Sequence, residues 1–188
     1  MSISQDILQL SKRIAASYDW NAAKAFKAYE MSDADRATIS RCAVDLLAIF
    51  PPTPDASAMM SAARAVSLSR VMHAPIHVVR GFLGVENRLV LGEGTRNGAY
   101  NWVMVGPYVV DITLFRLAYS SEAPAILAKH VDLVFGQNKA LYVDHWSMTK
   151  RVALRYQPDT VLTEAEITAL MGDAFHRIKQ ARDSSTAV

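Results

Sequence analysis

Cysteine is nearly absent: Cys42 is the only one in 188 residues. That excludes an internal disulfide framework, leaves too few thiolates for a structural zinc site, and agrees with a reducing compartment. An excess of charge is missing as well, with 20 Lys and Arg against 18 Asp and Glu, and the basic residues are scattered. The footprint of a nucleic-acid binder is therefore not there. The cluster Lys150, Arg151 and Arg155 reads as a solvated strand edge. No apolar run approaches the roughly 18 residues of a membrane span, and "MSISQDILQL" has no basic region ahead of an apolar one. A cytoplasmic chain without a membrane partner is the expectation.

Phosphate and metal motifs are also lacking. "GEGTRNG" at 92–98 has no Lys-Ser/Thr and no helix directly after it, so neither a P-loop nor a dinucleotide fingerprint is supported. His73 and His77 have the spacing of two ligands on a helical face, but Pro75 between them breaks the helix that would align them. With no HExxH and no Cys-x-x-Cys, neither a metal nor a cofactor is expected. There is no internal repeat, low-complexity tract or linker.

What is present is an ordinary folding composition, 51% hydrophobic and 20% charged, which points to one domain over 1–188 with order nearly throughout. Residues 1–50 read as helices. Ile3, Ile7, Leu10, Ile14 and Tyr18 form an apolar stripe continued by Ala22, Ala25, Phe26 and Tyr29, as one long helix or two with a break near Asp19. Ser32 with Asp33 and Asp35 starts the next helix, whose buried face is Ile39, Cys42, Ala43, Leu46, Leu47 and Phe50, and Pro51-Pro52 ends it. Thr53 and Pro54 then cap "TPDASAMMSAARAVSLSRVM", a helix with so little side-chain bulk that neighbours can approach its backbone closely. A central position is expected for it.

From Pro75 the period becomes that of strands: "PIHVVRG", "NRLVLG", a connector ending in the turn pair Asn97-Gly98, and the pair "YNWVMV" and "YVVDIT" around Gly106-Pro107. Over 116–188 the pattern predicts a helix from Ser120 to His130 with Pro124 in its first turn, strands "ALYVDHW" and "RVALRYQ", and a closing helix capped by Thr163 and Glu166 that runs to about Arg182, before a frayed tail. The order helices, small-residue helix, antiparallel strands, closing helix is α+β.

Residues 55–115 resemble the transglutaminase-like branch of the papain-like cysteine peptidase superfamily. In that branch a Cys begins a central helix, a His begins a strand as His-x-Trp, and an Asp ends the next strand, often as Asp-x-Thr. The helix of Asp55 to Met72 followed by "HAPIHVVRG" is similar to the family's central helix and its "Gly-Ile-Pro-Ala-x-Val-Val-x-Gly" strand, with Pro75 and Gly81 in matching places. "YNWVMVGPYVVDIT" is similar to the His-x-Trp to Asp-x-Thr hairpin, with Trp102, Asp111 and Thr113 matching. The resemblance implies a papain-like fold of helices on a small antiparallel sheet, and a triad whose acid is Asp111. It also places Tyr100 where the His belongs and Ala58, beside Ser57, where the nucleophile belongs. A phenol with a pKa near 10 is a poor base and a methyl group is no nucleophile.

Two readings follow. In the first, catalysis is lost and the chain binds an unidentified small molecule or protein in the old cleft between Ala58, Tyr100 and Asp111, with Asp111 holding the hairpin through Tyr100 or Trp102. In the second, the chain is a hydrolase or acyltransferase with a rearranged site, using Ser57 or Cys42 and a histidine such as His145. Each residue has a plainer reading beside the catalytic one. Ser57 suits capping or packing, Cys42 a small core hydrophobe, and His145 and His77 hydrogen-bonded core histidines on their strands. Trp20, Trp102, Trp146, Met59, Met60, Met72 and Met104 either line a groove or belong to the core.

Overall fold

The computed structural model describes residues 5–50, 57–92 and 99–186, with side chains through Gln180. The expected Pro51-Pro52 stop, the Thr53 and Pro54 cap and the Asn97-Gly98 turn lie outside the described residues.

Asp19 divides the first stripe into two helices, α1 (Gln5–Ser17) and α2 (Trp20–Ala28), because its carboxylate accepts the Ala22 N–H at 2.7 Å and starts the second. α3 (Asp33–Ile49) begins with a reciprocal Ser32–Asp35 capping box and buries Ile39, Cys42, Ala43 and Leu46. α4 (Ser57–Ser69) is the small-residue helix, and it packs on α3, on the strands β1 and β3 defined below, and on the closing helix. The central position expected of it is observed.

The strands are β1 (Ile76–Val85), β2 (Arg88–Leu91), β3 (Tyr100–Val105), β4 (Tyr108–Asp111), β5 (Tyr142–His145) and β6 (Leu154–Val161), and all their pairings are antiparallel. β1 pairs along one edge with β3 and, further on, β2; along its other edge it pairs with β6. β3, β4 and β5 continue the layer. β1 runs on through Val85, past the Gly81 end of "PIHVVRG". Gly81 sits beside the bulge facing Pro158, where a Cβ would strike the Gln157 carbonyl. Gly106, at φ 53°, makes the tight β3–β4 turn with Pro107 and packs under Tyr29.

Two short helices differ from expectation. α5 (Leu114–Ala118) follows β4 at once, and α6 (Ala125–Phe135) begins after Pro124, which is its N-cap and not a first-turn residue. A 3-10 helix, Trp146–Val152, joins β5 to β6, so Lys150 and Arg151 lie on that helix and only Arg155 on a strand. α7 (Glu164–Thr186) opens with the Thr163–Glu166 box, in which the Glu166 carboxylate accepts the Thr163 N–H at 2.8 Å. Among the described residues no helix is long and apolar enough to cross a membrane.

Strand alternation divides the core between two faces. Val79, Leu83, Tyr100, Trp102, Met104 and Val109 point to the face covered by α1, α2 and α6. Val78, Val103, Val105 and Val110 point to the opposite face, where Ala65 and Leu68 of α4 and Ile39 of α3 cover them. Ile112, just past β4, continues that face against Met59, Met60 and Ala63.

Candidate functional site

Asp111 ends β4 on the α1 face and is 1% exposed. Its Oδ2 accepts the hydroxyls of Tyr100 at 2.6 Å and Tyr156 at 2.9 Å. Its Oδ1 accepts the Thr113 N–H at 2.9 Å, the Thr113 hydroxyl at 2.9 Å and the Leu114 N–H at 3.0 Å. The local bonds arise because the chain turns into α5 directly after Asp111, so the carboxylate collects the first free N–H groups, as Asp commonly does at such a turn. Tyr100 arrives across the β3–β4 hairpin and Tyr156 from β6, on the far side of β1. Trp102 sits between the two tyrosines, its ring centroid 5.2 Å from that of Tyr156 and 6.3 Å from that of Tyr100.

Burial pushes the Asp111 carboxyl above its ordinary range, against the pull of its hydrogen bonds. Burial, reinforced by the neighbouring Asp111 charge, drives the Tyr100 and Tyr156 hydroxyls well above theirs. Both tyrosines therefore keep their protons and act as donors. A group that donates to Asp111 and cannot release its proton at neutral pH does not serve as a general base.

The remaining sequence candidates lie elsewhere. Ser57 and Ala58 begin α4, on the other face of the sheet from Tyr100 and Asp111, and Ala58 lines a separate cleft of about 450 Å³ against Leu170, Asp173 and His176 of α7. The cleft expected between Ala58, Tyr100 and Asp111 is replaced by a layer of β-sheet. The cause is register: Tyr100 and Asp111 share the pleat of Trp102 and Val109, whereas α4 packs on the pleat of Val103 and Val110. Cys42 is buried on α3 within the apolar layer. His145 caps the 3-10 helix, its Nδ1 lying 2.8 Å from the Ser147 hydroxyl and accepting the Ser147 N–H, and its ring packs on Tyr108. Among the described residues no histidine hydrogen-bonds Ser57 or Cys42.

His77 departs from the hydrogen-bonded core histidine expected of it. It is buried, but both ring nitrogens lack partners, and Tyr18 and Phe26 pack their rings against it with centroids at 5.0 Å and 6.1 Å. Burial lowers its pKa to about 4. His73 is exposed past the end of α4 and shares no helix with His77. Trp102, Trp146, Met59, Met60, Met72 and Met104 are core, and Trp20 is 65% exposed.

Two residues carry more than the sequence suggested. Tyr156 completes the Asp111 network; the alternation of "LRYQ" turns it inward, but its partner is 45 residues away and carries no local signal. Arg64 on α4 is 0% exposed, donates to the Ile39 carbonyl through Nη2, and leaves Nε and Nη1 without partners. Burial lowers its pKa to about 10.

Tyr156 also reaches a groove of about 790 Å³ between α1 and β6. Leu10, Trp146 and Tyr156 form its floor, and Arg13, Lys150 and Arg155 stand on its rim with Asp6 and Glu86. Lys150 pairs with Asp6 at 3.9 Å across one end.

No protein-family model, curated protein or solved structure matches the chain.

Proposed function

We propose that this chain is a non-catalytic member of the transglutaminase-like, papain-like superfamily, acting as a binding module for a small molecule or a protein segment. The observation that carries the proposal is the state of Asp111. The one triad position that keeps its residue is sealed from solvent, and both its oxygens are occupied by donors from the fold itself. A triad acid must orient an imidazole, and the imidazole must reach a nucleophile. Here protonated Tyr100 takes the place of the imidazole, and Ala58 lies across the sheet. Family membership is supported by the order of central helix, strand and hairpin, and by the side-chain bond from Tyr100 to Asp111 that spans the hairpin where a His–Asp pair would stand. The binding site is the groove between α1 and β6, whose volume lies within the usual range for ligand clefts. Asp111 pins the hydroxyl of Tyr156 and thereby braces the groove floor.

Labelling tests the loss of catalysis. Iodoacetamide is expected to alkylate Cys42 more slowly in the folded chain than in the urea-unfolded one, and a fluorophosphonate to label no serine. Faster labelling of Cys42 or Ser57 in the folded state overturns the proposal in favour of the hydrolase or acyltransferase. Binding is tested with a small-molecule fragment set and a random-peptide set against the ¹⁵N-labelled chain, with shifts expected on α1 and β6. A complete absence of shifts there removes the binding reading.

A further inference from the structure

Among the described residues β6 pairs along one edge only, and α1 covers about half the length of its other edge. Glu86 donates its N–H to the Ala153 carbonyl at 2.8 Å, and Leu162 donates to the Val78 carbonyl at 2.9 Å. The even-numbered residues of β1 therefore turn their main-chain groups toward β6. With Gly84 opposite Arg155 and Phe82 opposite Gln157, those two β6 residues spend their main-chain groups on β1. By the same alternation the N–H and C=O groups of Leu154 and Tyr156 point away from β1, toward the groove that both residues line, where Leu154 is 1% and Tyr156 4% exposed. Beyond the bulge the outward carbonyls are already taken: Arg13 donates to Asp159, and Ser17 to Val161 at 3.2 Å, while Tyr18 donates to the neighbouring Leu162 at 2.7 Å. α1 thus acts as an edge cover for Asp159–Leu162 and stands away from Leu154–Pro158, leaving the groove of about 790 Å³ between them.

We propose that an extended acidic segment of a partner protein adds to β6 as a strand, lying between β6 and α1. The proposal rests on the binding-module reading and names its ligand class. Main-chain complementarity selects an extended backbone, because the outward groups of Leu154 and Tyr156 repeat at the two-residue period that only a strand matches. Pro158 has no N–H to offer, which ends the ladder at the point where Arg13 closes the groove. The floor of Leu10, Trp146 and Tyr156 receives the apolar side chains that alternate inward from such a segment. Charge selects acidic side chains for the rim. Among the described residues that line the groove, Lys150 pairs with Asp6, which leaves Arg13 and Arg155 with one further carboxylate, Glu86.

The test is selection of random dodecapeptides displayed on phage against the full chain, followed by synthesis of the selected peptides. They are expected to be rich in Asp and Glu and to slow hydrogen exchange at the Leu154 and Tyr156 amides. Arg155→Glu is expected to weaken binding about tenfold. Gln9→Trp, an exposed position on α1, is expected to obstruct the groove to a similar degree without touching the core. Selected peptides that protect other amides overturn the inference, as does a basic consensus or an Arg155→Glu variant that binds unchanged. Concentration-dependent protection of Leu154 and Tyr156 without peptide assigns the edge to a second copy of the chain and also overturns it. If small-molecule fragments shift α1 and β6 while no peptide is selected, this inference fails and the binding-module reading stands; accelerated labelling of Cys42 or Ser57 defeats that reading without touching the groove.

Discussion

Asp111 and Arg64 are both buried charged residues, Asp111 on the α1 side of the sheet and Arg64 on the α4 side. Asp111 accepts five hydrogen bonds and, among the described residues, has no opposite charge beside it; Arg64 makes one to a carbonyl and, among the same residues, leaves two nitrogens unpaired. Desolvation opposes both, but only Asp111 is compensated. Its bonds come from β3, the turn into α5, and β6, so the carboxylate ties three separated stretches together. Arg64 contributes its stem to a helix interface and carries the unmet cost of its head. A buried charge is thus a structural keystone on one side and a burden on the other, and the difference lies in the donors and acceptors around it.

Removing the keystone is expected to have the largest effect. Asp111→Leu leaves the hydroxyls of Tyr100, Tyr156 and Thr113 without their acceptor and costs about 4 kcal/mol in urea unfolding. A loss below about 1 kcal/mol would show that the network does not hold the α1 side together. A second strong effect concerns His77 on the same side, and it depends on pH. Above about pH 6.5 the histidine is neutral in both states. Between there and about pH 4 the unfolded chain takes up a proton that the folded chain refuses. Stability is expected to fall by about 3 kcal/mol across that window, and His77→Leu to remove that component of the slope. An identical pH profile in the variant would refute the burial of a neutral ring.

On the α4 side the effect reverses sign. Arg64→Met keeps the stem and deletes the unpaired nitrogens, so stability is expected to rise by about 1 kcal/mol. A loss of that size would mean that the guanidinium has an anionic partner. The smallest effect is expected from installing the residues that the proposed family would carry, Ala58→Cys with Tyr100→His. Because the sheet separates the two positions, the new thiol should react with iodoacetamide no faster than a thiol placed at Ala58 alone. A histidine-dependent acceleration would show that the two faces communicate.

Much of the local structure is legible in the sequence. Asp19 marks the break between α1 and α2, Ser32 and Thr163 mark helix starts, and the bulk-free run of α4 marks a central helix, because capping and side-chain volume act within a turn or against any neighbour. The sequence narrows the hairpin partner of Asp111 to Tyr100 or Trp102, since one hairpin with a two-residue turn brings both near it, and the structure selects Tyr100. α5 is not: "LFRLA" is too short to show a helical period, and it forms because Asp111 gathers its first N–H groups. Gly81 reads as a strand end when it is the bulge that lets β1 continue. Arg64 resembles an exposed position in its helix, and nothing local reveals that α3 covers it.

Which residues share a face is a different kind of fact. Strand alternation determines that Tyr100, Trp102 and Met104 point together, and that Asp111 points with Val109. Whether that common face looks toward α4 or away from it depends on how α4 docks, and a shift of one residue would exchange every side chain between the faces. The amino-acid sequence alone therefore determined the longer helices, the hairpin and the choice of Tyr100 or Trp102 as the partner of Asp111. Only the tertiary structure decided that Ala58 lies behind the sheet, that Tyr156 reaches Asp111 from β6, and that α1 covers one part of the β6 edge and stands away from another. Those relations join parts of the chain far apart in sequence, and no local pattern encodes them.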